Sequence, residues 1–274
     1  MLKRTITAIV AFAAFFPFLY FSDTFMLPLA MSILAVAATY EMLGCVGLRS
    51  SVTVALPSYL FAAILPQLPR LGERPIDLVC AVCILYMTVI FAATVFSRGG
   101  LEFPTVSSGF TCVLYVTVSF TSIVFLRDIG KYFYLLVFIG AWSSDTFAYI
   151  CGRLFGRHKL IPEVSPKKTV EGSLGGIVFA GLAYVLYAFI IDRFFDSTVE
   201  THYVFMLLAG MIASVISQIG DLIASVIKRY FGIKDYGWIF PGHGGIMDRF
   251  DSVLLTAPVL FILSRIPAFS GIIM

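Results

Sequence analysis

Carboxylates, basic side chains and glycines crowd into one short part of this chain, and together they can hold a phosphorylated ligand with a metal ion. Residues 225–252 read SVIKRYFGIKDYGWIFPGHGGIMDRFDS. Lys228, Arg229, Lys234 and Arg249 bring positive charge, Asp248 and Asp251 bring carboxylates, and Asp221 lies just upstream. Hard cations take oxygen ligands, and Mg²⁺ is commonly bound by one or two carboxylates plus substrate phosphates. Lys and Arg then neutralise the remaining phosphate oxygens. Pro241-Gly242-His243-Gly244-Gly245 adds a turn whose glycines reach φ > 0, so that its backbone N–H groups can approach an anion closely. If Asp248 opens a helical turn, Asp248 and Ser252 share a face. His243 is placed to line such a site, although a histidine ligand usually prefers softer metals than Mg²⁺.

A second polar segment lies upstream. The run RLFGRHKLIPEVSPKKTVEGS, starting at Arg153, carries Arg157, Lys159, Lys167 and Lys168, with Ser165 and Thr169 as hydroxyl donors. Just before it, Trp142-Ser143-Ser144-Asp145 places a carboxylate inside an apolar run. Asp145, Tyr149 and Arg153 are spaced i, i+4, i+8 and share one helical face. Ser214, Ser217, Gln218, Asp221, Ser225 and Lys228 step by three or four residues and form a longer stripe. A stripe of that kind cannot face lipid cheaply, so it lines a bundle interior or a water-filled cavity. The serines by themselves read as interhelical hydrogen-bond glue. Asp221 does not, because an intramembrane carboxylate needs a cation, a proton or a metal. His158 and His202 read as ordinary interfacial residues.

These groups must be positioned by a membrane scaffold. Hydrophobic residues make up 59% of 274 positions, charged residues 13%, and mean hydropathy is +0.96. Crossing a bilayer core of about 30 Å takes about 20 apolar residues per helix. The chain offers about nine such runs: 5–22, 24–46, 52–69, 76–97, 106–126, 132–152, 173–192, 203–225 and 252–272. The expected fold class is all-α, a polytopic integral membrane protein. A β-barrel would need alternating segments of about ten residues, and these runs do not alternate. The expected organisation is a scaffold of transmembrane helices over 1–130, followed by a catalytic region over 131–274 with polar loops 153–172 and 226–251. The first run follows Lys3 and Arg4, but no small-residue cleavage site follows it, so it reads as a retained helix.

Charge counting sets the orientation. With the N-terminus in the cytoplasm, thirteen basic residues lie inside and six outside, accounting for all 19 Lys and Arg. Both polar loops then face the cytoplasm. The net charge of +3 is too small to point to nucleic acid. Cys45, Cys80, Cys83, Cys112 and Cys151 all lie in or beside apolar runs and read as small packing residues. The phosphate-loop, dinucleotide-fold, zinc-protease and nucleophile-elbow motifs are all missing.

The segment from Ser225 through Asp251 resembles the signature of the phosphatidate cytidylyltransferases, the CDP-diacylglycerol synthases. AWSSDTFAYICGRLFGRHKLIPEVSPKKTVEGSLGG, starting at Ala141, is similar to that family's upstream segment. The resemblance covers roughly a quarter of the chain. It implies cytidylyl transfer from CTP to phosphatidic acid, giving CDP-diacylglycerol and pyrophosphate, with Mg²⁺ required and a second cation plausible. On that resemblance Asp221 and Asp248 are the expected metal ligands, with Asp251 third. Lys228, Arg229, Lys234 and Arg249 would hold the triphosphate or phosphatidate. Lys167, Lys168, Thr169 and Glu171 would complete the site, Asp145 would orient a basic partner, and Ser225, His243, Gly244 and Gly245 would contact substrate. The resemblance also implies membrane lipids as partners and a homodimer, and the compact nine-helix form points to a bacterial inner membrane. Two other readings stay open on the residues themselves. A CTP-dependent lipid kinase acting on a polyprenol would release CDP instead of pyrophosphate. A proton-coupled transporter would place Asp145 and Asp221 along its path.

Overall fold

A computed structural model describes residue 17 and residues 20–195, 202–239 and 244–266. In chain order the helices are α1 (Met26–Val46), α2 (Val52–Ile64), α3 (Pro75–Phe96), α4 (Phe103–Ile129), α5 (Leu135–Phe155), α6 (Val170–Ile190), α7 (Tyr203–Tyr230) and α8 (Met247–Ser264). A 3₁₀ turn over Leu65–Arg70 extends α2, and a π turn over Ile191–Phe195 extends α6. Between α5 and α6 lie two short strands, β1 (Lys159–Ile161) and β2 (Ser165–Thr169).

Seven of these helices, counting α2 with its 3₁₀ extension, are long and apolar enough to cross a membrane. The expected number was nine. Of the other two, 5–22 falls mainly outside the described residues. The described part of 252–272 belongs to α8, which starts earlier, at Met247. Its first turns carry Asp248, Arg249 and Asp251, so the described helix is shorter and more polar than a full crossing. At about 1.5 Å per residue, a 21-residue helix such as α1 or α5 spans about 30 Å, the thickness of the hydrocarbon core. Leu29, Ile33, Leu85, Leu182 and Ile262 are exposed, as side chains facing lipid are.

Local sequence explains the ends. Gly47 stops α1 in the left-handed conformation (φ 82°) and returns its N–H to the carbonyls of Gly44 and Leu43. Pro75 opens α3, where a missing N–H costs nothing, and Asp77 sits in its first turn. The polar connection 153–172 is not an open loop. It folds into an antiparallel hairpin pairing Lys159 with Thr169 and Ile161 with Ser165. Thr169 then caps α6, its hydroxyl accepting the Gly172 N–H at 3.2 Å.

The chain divides into two compact units, one of Met1–Phe125 with Tyr230–Phe250, the other of Leu126–Arg229 with Asp251–Met274. In the first, Phe61 stacks on Tyr86 at 4.1 Å between ring centroids, and the Tyr86 hydroxyl meets Ser58 Oγ at 2.9 Å. In the second, small residues let backbones touch, as membrane helices without a hydrophobic driving force require. A Cβ on Gly172 would lie 2.6 Å from the Ala148 carbonyl oxygen of α5. One on Gly210 of α7 would lie 2.7 Å from the Ala180 carbonyl oxygen of α6. Backbone cannot yield as a side-chain tip can. Gly210→Val is therefore expected to destabilise the protein by about 1–3 kcal/mol, seen as a lowered thermal midpoint of the detergent-solubilised chain. An unchanged midpoint would show that α6 and α7 do not depend on this approach.

Candidate active site

The face read from Asp145, Tyr149 and Arg153 lines a cavity of about 370 Å³ in the second unit, together with Lys167, Lys168 and Thr169 of β2. Ligand pockets commonly run from about 300 to 1,000 Å³. Four elements build its wall. α5 contributes Asp145 and Arg153, the hairpin contributes the lysines, and Ser173 of α6 and Gln218 of α7 close it.

Hydrogen bonds fix the floor of this cavity. Ser144 Oγ and Ser214 Oγ lie 2.7 Å apart. Gln218 Nε2 donates to Ser214 Oγ at 3.2 Å and to the Ser173 carbonyl at 3.2 Å. Its Oε1 accepts the Ser173 hydroxyl at 2.5 Å. The stripe on α7 thus serves two purposes. Ser214 and Gln218 join α7 to its neighbours, and Asp221, one turn further on, is ion-paired with Lys168. Asp145 accepts the Ser252 hydroxyl at 2.8 Å, and Asp251 accepts the Ser252 backbone N–H at 2.8 Å. The charge of Asp221 acts on both Asp145 and Asp251, with Lys168 offsetting it at the first and Lys228 at the second. Ser225 is half-buried on α7, and Arg229 is exposed at its end. At about 1.5 Å per residue the 28 residues of α7 span about 42 Å, more than the hydrocarbon core, with Lys228 and Arg229 in its last turn.

Glu171, expected to contact substrate, braces the hairpin. Its carboxylate accepts the N–H of Arg157 at 3.1 Å and of His158 at 3.2 Å, and meets His158 Nδ1 at 2.6 Å. Thr169 spends its hydroxyl on Gly172 as the cap of α6.

Residues 244–250 belong to the first unit, where the described N–H groups are met by side-chain carboxylates. Asp248 Oδ2 accepts the N–H of Gly245 at 3.0 Å and of Tyr236 at 2.8 Å. The next two N–H groups, of Ile246 and Met247, go to the two carboxylate oxygens of Glu41 at 3.0 and 2.9 Å. Three successive donors are therefore taken by the protein's own carboxylates. Gly244 is left-handed (φ 82°), which glycine adopts without strain. Lys234 and Arg249 are exposed. His243, with Pro241 and Gly242, lies outside the described residues. Glu41 escaped the sequence reading, although it is the sole charged residue in the apolar run 24–46.

Among the described residues, no three His, Cys, Asp or Glu side chains form a ready-made metal cage. The arrangement fits the other way of holding Mg²⁺, in which one or two carboxylates leave the remaining positions to water and substrate phosphates. Asp221 already holds a cation, the Lys168 ammonium.

A cavity lined by ammonium, guanidinium and carboxylate groups, set into membrane-crossing helices, is the equipment of an integral-membrane enzyme for phosphorylated substrates. Comparison with known proteins narrows that class. Residues 2–266 match the cytidylyltransferase family, and the chain belongs to that family. It is 35% identical over 264 residues to the phosphatidate cytidylyltransferase of Staphylococcus haemolyticus, across 96% of this chain and 98% of that protein. The Staphylococcus epidermidis phosphatidate cytidylyltransferase is 36% identical over the same shares of both chains. That of Staphylococcus aureus is 34% identical over 266 residues.

The Gln218 cluster is open to test. Gln218→Leu keeps the volume and strands the Ser144, Ser173 and Ser214 hydroxyls among fewer partners. Unsatisfied buried groups cost about 1–3 kcal/mol, so the expected result is a lower thermal midpoint in detergent. A midpoint equal to that of the wild type would remove the cluster as an anchor of α7.

Proposed function

We infer that this membrane protein is a phosphatidate cytidylyltransferase, transferring a cytidylyl group from CTP to phosphatidic acid and yielding CDP-diacylglycerol and pyrophosphate. The observation that carries this reading is the likeness to phosphatidate cytidylyltransferases over 96% of the chain. The cavity's chemistry supports it.

In the reaction, a phosphate oxygen of phosphatidic acid attacks the α-phosphorus of CTP. The new P–O bond forms as the bond from the α-phosphorus to the bridging oxygen breaks, and pyrophosphate leaves with that oxygen. The attacking phosphate is already ionised near neutral pH, so no general base is needed. The protein's contribution is positioning and charge neutralisation. Arg153, Lys167 and Lys168 line the cavity and neutralise phosphate oxygens there. Asp221 and Asp251 are the proposed holders of Mg²⁺, which when bound neutralises charge on the triphosphate. Asp145 orients Ser252. To Asp248, expected from the sequence as a metal ligand, we assign the holding of the signature turn, because its Oδ2 takes two backbone N–H groups. Lys228 lies beside Asp251 and balances its charge. The excess of basic residues supports an orientation with 153–172 and 226–251 in the cytoplasm, where CTP is found. The acyl chains of the second substrate stay in the lipid.

Purified protein in micelles containing phosphatidic acid, Mg²⁺ and CTP labelled at the α- or γ-phosphate tests the reading. The α-label is expected in lipid and the γ-label in pyrophosphate. The γ-label in lipid would instead mean a kinase, and no label in lipid would sink the assignment. EDTA is expected to stop the reaction and added Mg²⁺ to restore it. Asp221→Asn should lower kcat/KM by roughly 100-fold or more, and a variant retaining full activity would take Asp221 out of the mechanism.

A further inference from the structure

We propose that Glu171 is a positioning residue for cytidylyl transfer, its carboxylate locking the base of the β1–β2 hairpin and so setting Lys167 and Lys168 in the cavity; the proposal rests on the function inferred above. The hairpin is small, with three residues in β1 and five in β2. Two strands alone are marginally stable at best in water, so a hairpin of this size needs support from its surroundings. The backbone ladder supplies one more bond, since the Val170 N–H donates to the His158 carbonyl at 2.9 Å just past the Lys159–Thr169 pair. One step further, that register would set residue 157 against residue 171. The ladder stops there, because α6 has begun at Val170. The Glu171 side chain takes over, receiving the N–H of Arg157 on one oxygen and that of His158 on the other. His158 Nδ1 meets the same carboxylate at 2.6 Å.

The carboxylate thereby fastens the chain leaving α5 to the first turn of α6. Thr169 closes the same joint from within. A Cβ on Gly156 would lie 2.8 Å from its Cγ2, and one on Gly152 of α5 would lie 2.9 Å from its Oγ1. Lys167 and Lys168 stand within four residues of Glu171, in the strand that this joint holds. Both line the cavity with Asp145 and Arg153, and Lys168 pairs with Asp221. All of these residues belong to the second unit. Glu171 thus acts on the cavity through the strand. A carboxylate offers only acceptors, whereas glutamine would turn an NH₂ group towards one of the N–H donors. The joint lies near the surface, the His158 side chain being 79% exposed and that of Glu171 26%. Losing it therefore loosens the hairpin while α5 and α6 stay packed.

Full-length wild type, Glu171→Gln, His158→Ala and the double variant are compared in detergent micelles by steady-state kinetics and by hydrogen–deuterium exchange. Misplacing a positioned group by about 1 Å can lose roughly 100-fold. The triphosphate, with the larger charge, depends most on the two lysines. Glu171→Gln is therefore expected to raise KM for CTP by roughly 10-fold, with KM for phosphatidic acid within about two-fold of wild type. A loss of folded protein would instead lower kcat and leave both KM values as they were. Faster exchange is expected in peptides covering 156–170, with 203–225 protected as before. His158→Ala is expected to act in the same direction. The double variant should add no more than about two-fold to the effect of Glu171→Gln, because both changes break one joint. Full multiplication of the two effects would overturn the proposal and make Glu171 a substrate contact. So would a KM for CTP within about two-fold of wild type, or faster exchange throughout the chain. If the wild type itself makes no CDP-diacylglycerol, the functional reading falls. Exchange over 156–170 in Glu171→Gln then decides the joint by itself, faster exchange upholding it and unchanged exchange overturning it.

Discussion

A carboxylate inside an apolar medium has to be met by donors or by a cation, and much of this molecule is arranged to satisfy that demand. Four carboxylates among the described residues show how. Glu41 takes two backbone N–H groups, Asp248 takes two more, Asp221 takes the Lys168 ammonium and Asp145 takes the Ser252 hydroxyl. The solutions differ in what they leave available. Backbone donors are fixed by the fold, so Glu41 and Asp248 act as fasteners. A lysine on a flexible stem can exchange its partner, so Asp221 and Lys168 remain open to a ligand's charges. On the proposed function, carboxylates met by fixed backbone donors hold structure, and those met by side chains stay available to a ligand.

The same logic organises the packing. With no water to satisfy them, polar atoms between helices pair with one another, as Ser144, Ser173, Ser214 and Gln218 do. Glycines at the helix contacts bring the backbones close enough for those short side chains to reach. The cavity is carried on this tight frame, and its charged residues project from elements whose positions are already set.

Sequence alone revealed the parts of this design that are periodic. The run 76–97 corresponds to α3 over Pro75–Phe96, and the i, i+4, i+8 face of α5 lines the cavity. The stripe on α7 was visible for the same reason, since spacing of three and four residues survives any tertiary detail. What stayed hidden depended on partners distant in the chain. The β1–β2 hairpin is too short for its own period to register, and Glu171 holds it from thirteen and fourteen residues away. Pro241–Gly245 reads as an anion nest, and nothing local could reveal that Glu41 meets the N–H groups of Ile246 and Met247 just after it. Glu41 is the one charge in its apolar run, but it stays unread in the sequence because its partners lie more than two hundred residues ahead.

That distance has a consequence for how the protein is made. The donors that satisfy Glu41 are synthesised 205 and 206 residues after it. At roughly 5–20 residues per second, a ribosome takes on the order of 10 to 40 s to reach them. During that interval α1 is already made while its carboxylate lacks the two backbone donors that it meets in the fold. Biogenesis of this unit is therefore completed by the arrival of the C-terminal segment, and a chain stalled before Ile246 leaves Glu41 without those two donors.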